Sequence, residues 1–378
     1  MPRVQFASLA IAALLAGCAA GQDAPNVAAV PVLGAAVPVS RALPAAVPTP
    51  VIRTDKVLTR IAFGSCNHQL RSQDIWPVIG ATSPDAMLMI GDNVYGDYGW
   101  EGDADLSSFR DAYAIQAADP RFSALRQSTP MLASWDDHDF GPNDSGGAFA
   151  FRELSEDLFE SFWGSSAEVQ SRPGIYDSLI AGPEGQRTQI VMLDTRFFRS
   201  SLTRLPYTED WRPLGNYDRD PSPDVTMLGN AQWAWLETEL AKPADLRLLV
   251  SSIQVLTDAH RYESWANMPR ERERLMEMLA SRNGGGLVLL SGDRHSGAIY
   301  SDSPAALGEE IHELTSSSLN LAFVRDDASE REPDPIRETD MIVVENFGLV
   351  DVDWSDRAVK LALHSDDGAE IVAKTVSF

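Results

Sequence analysis

Several side chains of this sequence are of the kinds that hold metal ions, and each follows a short apolar run. Cys66 comes after the run at 58–63, Asp92 after Met87-Leu88-Met89-Ile90, and Asp137 with His138 after 131–135. Gln254 follows 246–250, and Asp293 with His295 follows Leu287-Val288-Leu289-Leu290. One aspartate past a strand reads as a helix N-cap or a turn residue. Five strand ends that each deliver a polar group describe the edge of a sheet at which α/β proteins bind ligands. A thiolate, a phenolate, a histidine and a carboxylate suit a transition metal, whereas additional carboxylates and an amide oxygen suit a hard cation.

The elements that must position these groups alternate. Predicted strands at 58–63, 87–90, 131–134, 188–193, 246–250 and 287–290 are interleaved with helical patterns near 73–79, 105–117, 122–127, 149–163, 229–241 and 270–282. From about residue 311 the pattern is mostly strands. An α/β core with extra antiparallel strands follows. The stretch 198–226 is long, polar and Pro-containing, as expected of a lid or a substrate wall. His68 and His260 read as surface residues, and Asn143 and Asp144 sit in a glycine-rich loop where they either line the site or cap a turn.

Composition narrows the function. The 378 residues carry a formal net charge of −24, with 44% hydrophobic and 23% charged residues, so a real core is available but no basic surplus for nucleic acid. An acidic protein still handles anionic substrates where metal ions reverse the local field. Two cysteines, Cys18 and Cys66, are too few for a disulfide framework. Residues 1–18 read as an export signal: Arg3, a short apolar stretch, then Leu15-Ala16-Gly17-Cys18, which resembles a bacterial lipobox. Lipidation of Cys18 would tether the protein to a membrane, at roughly 0.8 kcal/mol per buried CH2. Ala19 after it points to the outer membrane, on its periplasmic or cell-surface side. Residues 19–56 are rich in Ala and Pro and read as a disordered tether, leaving 57–378 as the globular domain.

Seven blocks carry a family resemblance: FGSC at 63–66, GDNVYGD at 91–97, WDDHD at 135–139, LDTRFFR at 193–199, LGNAQWAWLE at 228–237, SSIQ at 251–254 and SGDRH at 291–295. In that order they resemble the alkaline phosphatase D (PhoD-like) phosphatases of the calcineurin-like metallophosphoesterase superfamily. The resemblance implies a four-layer α/β/β/α sandwich with a metal site at the strand ends. It implies that Cys66, Asp92, Tyr95 and His295 hold Fe3+, with Asp92 bridging to a second site completed by Asp137 and Asp293. Oxygen donors there fit Ca2+, other divalent metals being alternatives. Asn93, Gln254, Asn143 and Asp144 are further candidates for that site or its surroundings.

The implied reaction is hydrolysis of small phosphate mono- or diesters by a metal-activated hydroxide, with His138 protonating the leaving oxygen and Arg196 and Arg294 holding phosphoryl oxygens. A phospholipase D-like or glycerophosphodiester phosphodiesterase activity is the alternative within the class. A calcium-dependent surface-binding lipoprotein without turnover is the alternative outside it.

Overall fold

Along β1 (Arg60–Gly64) the side chains of Ile61 and Phe63 enter one apolar layer and Ala62 another, and β2 (Ala86–Ile90) sends Leu88 and Ile90 one way and Met87 and Met89 the other. Period-two burial on both faces defines strands covered on two sides. The protein, seen in a computed structural model that describes residues 43–205, 214–325 and 327–378, has two such sheets. The predicted signal peptide, Cys18 and the tether up to residue 42 lie outside the described residues.

The first sheet has the order β12-β11-β10-β1-β2-β3, with β3 (Met131–Ser134), β10 (Asn346–Asp353), β11 (Ala358–Ser365) and β12 (Glu370–Ser377). The second has the order β4-β5-β6-β7-β9-β8, built of β4 (Asp177–Ala181), β5 (Thr188–Met192), β6 (Leu246–Val250), β7 (Gly286–Ser291), β8 (Gly297–Asp302) and β9 (Ile311–Ser316). β1, β2 and β3 run parallel, as do β5, β6, β7 and β9. The remaining strands extend the sheets antiparallel.

Three apolar layers make the sandwich. Ile61, Phe63, Leu88 and Ile90 meet Ile190, Met192, Leu248, Val250 and Leu290 between the sheets. Outside the first sheet lie α1 (Ile75–Ala81), α2 (Ser107–Ala118), α3 (Pro120–Ser128) and α5 (Arg152–Trp163), through Trp76, Phe109, Phe122 and Phe162. The short α4 (Asp137–Phe140) precedes α5. Outside the second sheet α6 (Gly229–Leu240) and α7 (Pro269–Ala280) supply Trp233, Leu236, Leu275 and Leu279. A last short helix, α8 (Ala328–Arg331), lies before β10. The architecture is the expected α/β/β/α sandwich. Truncating a fully buried residue of the central layer, such as Leu248, costs about 2–5 kcal/mol.

Three features depart from the sequence reading. β8 was not expected; it follows the ligand loop after β7 at once and is fixed by antiparallel pairing to β9. The acidic cluster at 136–139, outside every predicted helix, starts a helical turn. Residues 43–56 are not a free tether. The Ala46 N–H donates to the Phe162 carbonyl (3.3 Å) and Arg126 Nε to the Val47 carbonyl (2.6 Å). Thr49 Oγ1 donates to the Thr129 carbonyl (2.9 Å), the Gly182 N–H donates to the Thr54 carbonyl (2.9 Å), and Ile52 is buried. Repeated proline removes donors from a chain but leaves its carbonyls as acceptors, and the domain supplies the donors.

Candidate metal centre

The sheets bring the carboxyl ends of their parallel strands together, and the turns there are tight. Gly91 adopts φ +117°, and a Cβ on it would lie 2.6 Å from Asp136 Cβ and 3.0 Å from Ser252 Cβ, so β2 can approach the second sheet only with glycine here. Beyond these turns Cys66, Asp92, Asp293 and His295 have φ of 59°, 50°, 65° and 50°. Left-handed backbone is costly for such residues, and half of the eight non-glycine cases among the described residues are sequence-predicted ligands. The strain is therefore concentrated where the side chains must converge.

They do converge. Ligand atoms of Cys66, Asp92 and His295 lie within 4.8 Å of one another, and so do those of Asp92, Asp136, Asp137 and Asp293. Asp92 belongs to both groups. Its Oδ2 accepts from the Tyr95 hydroxyl at 3.2 Å and lies 3.5 Å from Cys66 Sγ. The His295 Nδ1–H donates to the Leu321 carbonyl at 2.6 Å, which leaves Nε2 as the lone-pair nitrogen, the arrangement typical of a metal-binding histidine. Burial holds His295 neutral, at about 4. Ser317 Oγ sits 3.0 Å from Cys66 Sγ and accepts the His295 N–H at 2.9 Å, so one hydroxyl braces two candidate ligands.

Burial pushes Cys66, Tyr95, Asp92 and Asp293 well above their usual values, toward neutral forms. Asp136 rises to about 7 for the same reason, against the pull of Arg196. Asp137 goes the other way: burial would raise it, but His138, Arg196 and the Asp144 N–H (2.6 Å from Asp137 Oδ2) hold it low. A buried cluster of acid groups around one shared carboxylate is shaped for positive charge. The sulfur, phenol, imidazole and carboxylate set suits a transition metal, and the all-carboxylate set suits a hard cation. Asp136 Oδ2, buried without a partner, adds an oxygen to the second set.

His138 borders the carboxylates. One of its ring nitrogens lies within 4.8 Å of oxygens of Asp92 and Asp137, and its Nδ1 pairs with Asp97 Oδ1 at 2.7 Å. Burial would lower the imidazole, but Asp137, Asp92 and Asp97 raise it well above its ordinary value.

The two candidate arginines are placed differently from the sequence reading. Arg196 is completely buried; Nε donates to Asp136 Oδ1 at 2.6 Å and the guanidinium also pairs with Glu263. Arg199 supports it, 2.7 Å from Glu263. Arg294 pairs with Glu332 at 2.6 Å and lies over the Tyr262 ring. Both guanidiniums are thus paired with carboxylates, Arg196 with two and Arg294 with one through Nη2.

Gln254 is also committed: its Oε1 meets His260 Nε2 at 3.0 Å and its Nε2 donates to Thr315 Oγ1 at 3.0 Å. His260 is thus a buried partner, and His68 is half-buried, its ring stacked 5.0 Å from the Tyr95 ring. Asn93 is bracketed by the Ser134 carbonyl (2.8 Å) and Asp139 (2.5 Å). Asn143 stays exposed. Asp144 takes the Tyr217 hydroxyl and groups with Asp137 and Glu263.

Sequence reasoning missed Asp136, Asp97, Ser317 and Glu263. Asp136 adjoins a predicted ligand and Ser317 follows a predicted strand, so both had a positional signal. Glu263 stands alone in a loop and had none.

The sequence profile of the PhoD-like phosphatase family matches residues 61–160 and 166–363. Alkaline phosphatase D of Bacillus subtilis (strain 168) is 24% identical over 218 residues, 50% of this chain and 35% of that protein, so the chain spans about a third of the curated relative's length. A solved structure of PhoD shares the fold, with a TM-score of 0.64 and 17% identity over 87% of this chain and 70% of that one. A dimetal phosphatase from Danio rerio aligns with a TM-score of 0.49 and 12% identity, over 85% of this chain and 100% of its own. By the profile match across most of its length, the chain belongs to the PhoD-like phosphatases.

Proposed function

We propose that this chain hydrolyses phosphate esters with metal ions held around Asp92. The observation that carries the reading is the pair of ligand groups sharing that one carboxylate where the two sheets meet. In this reading Cys66, Asp92, Tyr95 and His295 hold iron as Fe3+, and Asp92, Asp137 and Asp293 hold Ca2+. Such ions supply an activated nucleophile and polarise phosphoryl oxygens. The chain's own contribution is positional. Asp97 fixes the His138 ring through Nδ1, which leaves Nε2 to deliver a proton to the departing ester oxygen. Arg196, locked by Asp136 and Glu263, holds the wall behind Asp137. Cys66, braced by Ser317, acts as a ligand and not as a covalent nucleophile.

Substrates on this reading are small phosphate mono- or diesters, met outside the cytoplasm by a protein anchored through Cys18. The decisive experiment measures iron and calcium in the purified protein. It then assays p-nitrophenyl phosphate and its bis ester with and without a calcium chelator. Both metals, and turnover that the chelator abolishes, are expected; a protein that carries both metals yet hydrolyses neither ester would favour a calcium-dependent binding lipoprotein. For the anchor, Cys18→Ser is expected to release the protein from membranes, and unchanged membrane association would refute lipidation.

A further inference from the structure

We propose that Tyr98 and Phe323 form an aromatic subsite for the ester group, so that the preferred substrates carry a planar or apolar group on phosphate; this rests on the phosphoesterase reading above. Tyr98 stands edge-on to His138, with centroids 5.4 Å apart and rings at 87°, and packs on Tyr95 at 5.2 Å. Despite these contacts it is 56% exposed. Phe323 lies flat on His295, 4.0 Å away at 15°, held by its own N–H donating to the His295 carbonyl at 3.0 Å, and is 38% exposed. Each ring therefore rests on a residue of the proposed machinery and leaves part of its surface to solvent.

The surrounding surface supports an apolar ligand. Nine large hydrophobic side chains are exposed among the described residues, and five of them sit in loops after β1, β2, β6 and β9: Leu70, Tyr98, Tyr262, Phe323 and Val324. These loops leave the edge that carries the candidate ligands. The two arginines nearest the candidate ligands are already paired with carboxylates. Arg196 pairs with Asp136 and Glu263, and Arg294 with Glu332, so neither is free to draw a further anionic group on the ester. Contact with His138 also puts the Tyr98 ring next to the position from which the ester oxygen departs, so Tyr98 would meet the leaving group itself.

The test compares kcat/KM for 1-naphthyl phosphate and for glycerol phosphate on the metal-loaded, full-length protein. Tyr98→Ala and Phe323→Ala are each expected to lower the naphthyl-to-glycerol ratio about fivefold, in the range measured for aromatic pairs, with the change in KM, the mark of binding shared by ground and transition states. Tyr98→Phe keeps the ring and is expected to keep the ratio. A ratio that stays within about twofold of wild type in both alanine variants would overturn the subsite while leaving the phosphatase reading intact. So would an equal fall in kcat for both substrates, since that would make Tyr98 a support for His138 only. A metal-loaded wild-type protein that hydrolyses neither ester would remove the phosphatase reading and the subsite with it.

Discussion

Replacing Arg196 by Met separates two roles that the residue's type alone leaves open. If the guanidinium is a buried counter-ion, as its zero exposure and its pairing with Asp136 and Glu263 indicate, the substitution strands two buried carboxylates. Breaking such a pair costs about 3–5 kcal/mol. Two contacts soften the loss: Ser252 Oγ still donates to Asp136 Oδ1 at 2.6 Å and Arg199 still reaches Glu263 at 2.7 Å. The lower end, about 3 kcal/mol, is expected, or about 4–5 °C in Tm for a domain of this size. Urea unfolding of the metal-free protein is the proper assay, since a bound cation beside Asp136 would offset part of the effect. The loss should also deepen as pH rises from 5 to 8. Asp136 already sits at about 7 in the fold because burial disfavours its charge, and without Arg196 its ionisation opposes folding more strongly. A loss below about 1 kcal/mol together with a tenfold rise in KM for a phosphate ester would refute the buried-pair reading and return Arg196 to the substrate.

Three further outcomes are expected. The metal-free protein should lose stability between pH 5 and 9. Burial raises Asp136 to about 7 and Asp139 to about 8, so the folded form binds more protons than the unfolded one across that window and stability falls as pH rises through these values. A urea midpoint that increases with pH would contradict this. His138→Ala should cost about 10²–10³ in kcat for an alkyl phosphate and less than about tenfold for p-nitrophenyl phosphate, because a good leaving group needs no proton; equal losses would remove the acid role. Cys66→Ser should lower the iron content of the purified protein while calcium is retained, as read by elemental mass spectrometry; unchanged iron would exclude the thiolate as a ligand.

Much of the site could be read from the sequence because a buried strand announces itself as an apolar run and stops abruptly. Cys66, Asp92, Asp137, Asp293 and His295 all stand within a few residues of such a stop, and the structure brings all five together. Tyr95 carried no such signal, since an aromatic three residues into a loop usually packs; only the resemblance pointed to it. Arg196 shows the opposite case. Its motif placed it near the site, but where a guanidinium points depends on which carboxylate is buried beside it, and Glu263 sits in a distant loop with no pattern around it. Gln254, read as a candidate for the site or its surroundings, has its oxygen on His260. The chain at 43–56 reads as free because proline forbids regular structure, yet Arg126 and the Gly182 amide capture its carbonyls.

The places where local rules break are the places where chemistry is expected. Cys66, Asp92, Asp293 and His295 hold left-handed backbone conformations that side chains of their kind resist, and burial holds Cys66, Asp92 and Asp293 away from the charged forms that would bind a metal. Both penalties act in the same few residues, at the meeting edge of two otherwise consistent sheets. A fold selected for stability alone would relax them with glycine at the turns and apolar side chains behind. Retaining acids on strained turns is favourable only if positive charge arrives to compensate them, and a cation that binds the folded form alone stabilises it by mass action. Metal binding and the stability of this edge are therefore one linked equilibrium, and the same ions that would activate the nucleophile would also relieve the cost of placing the ligands.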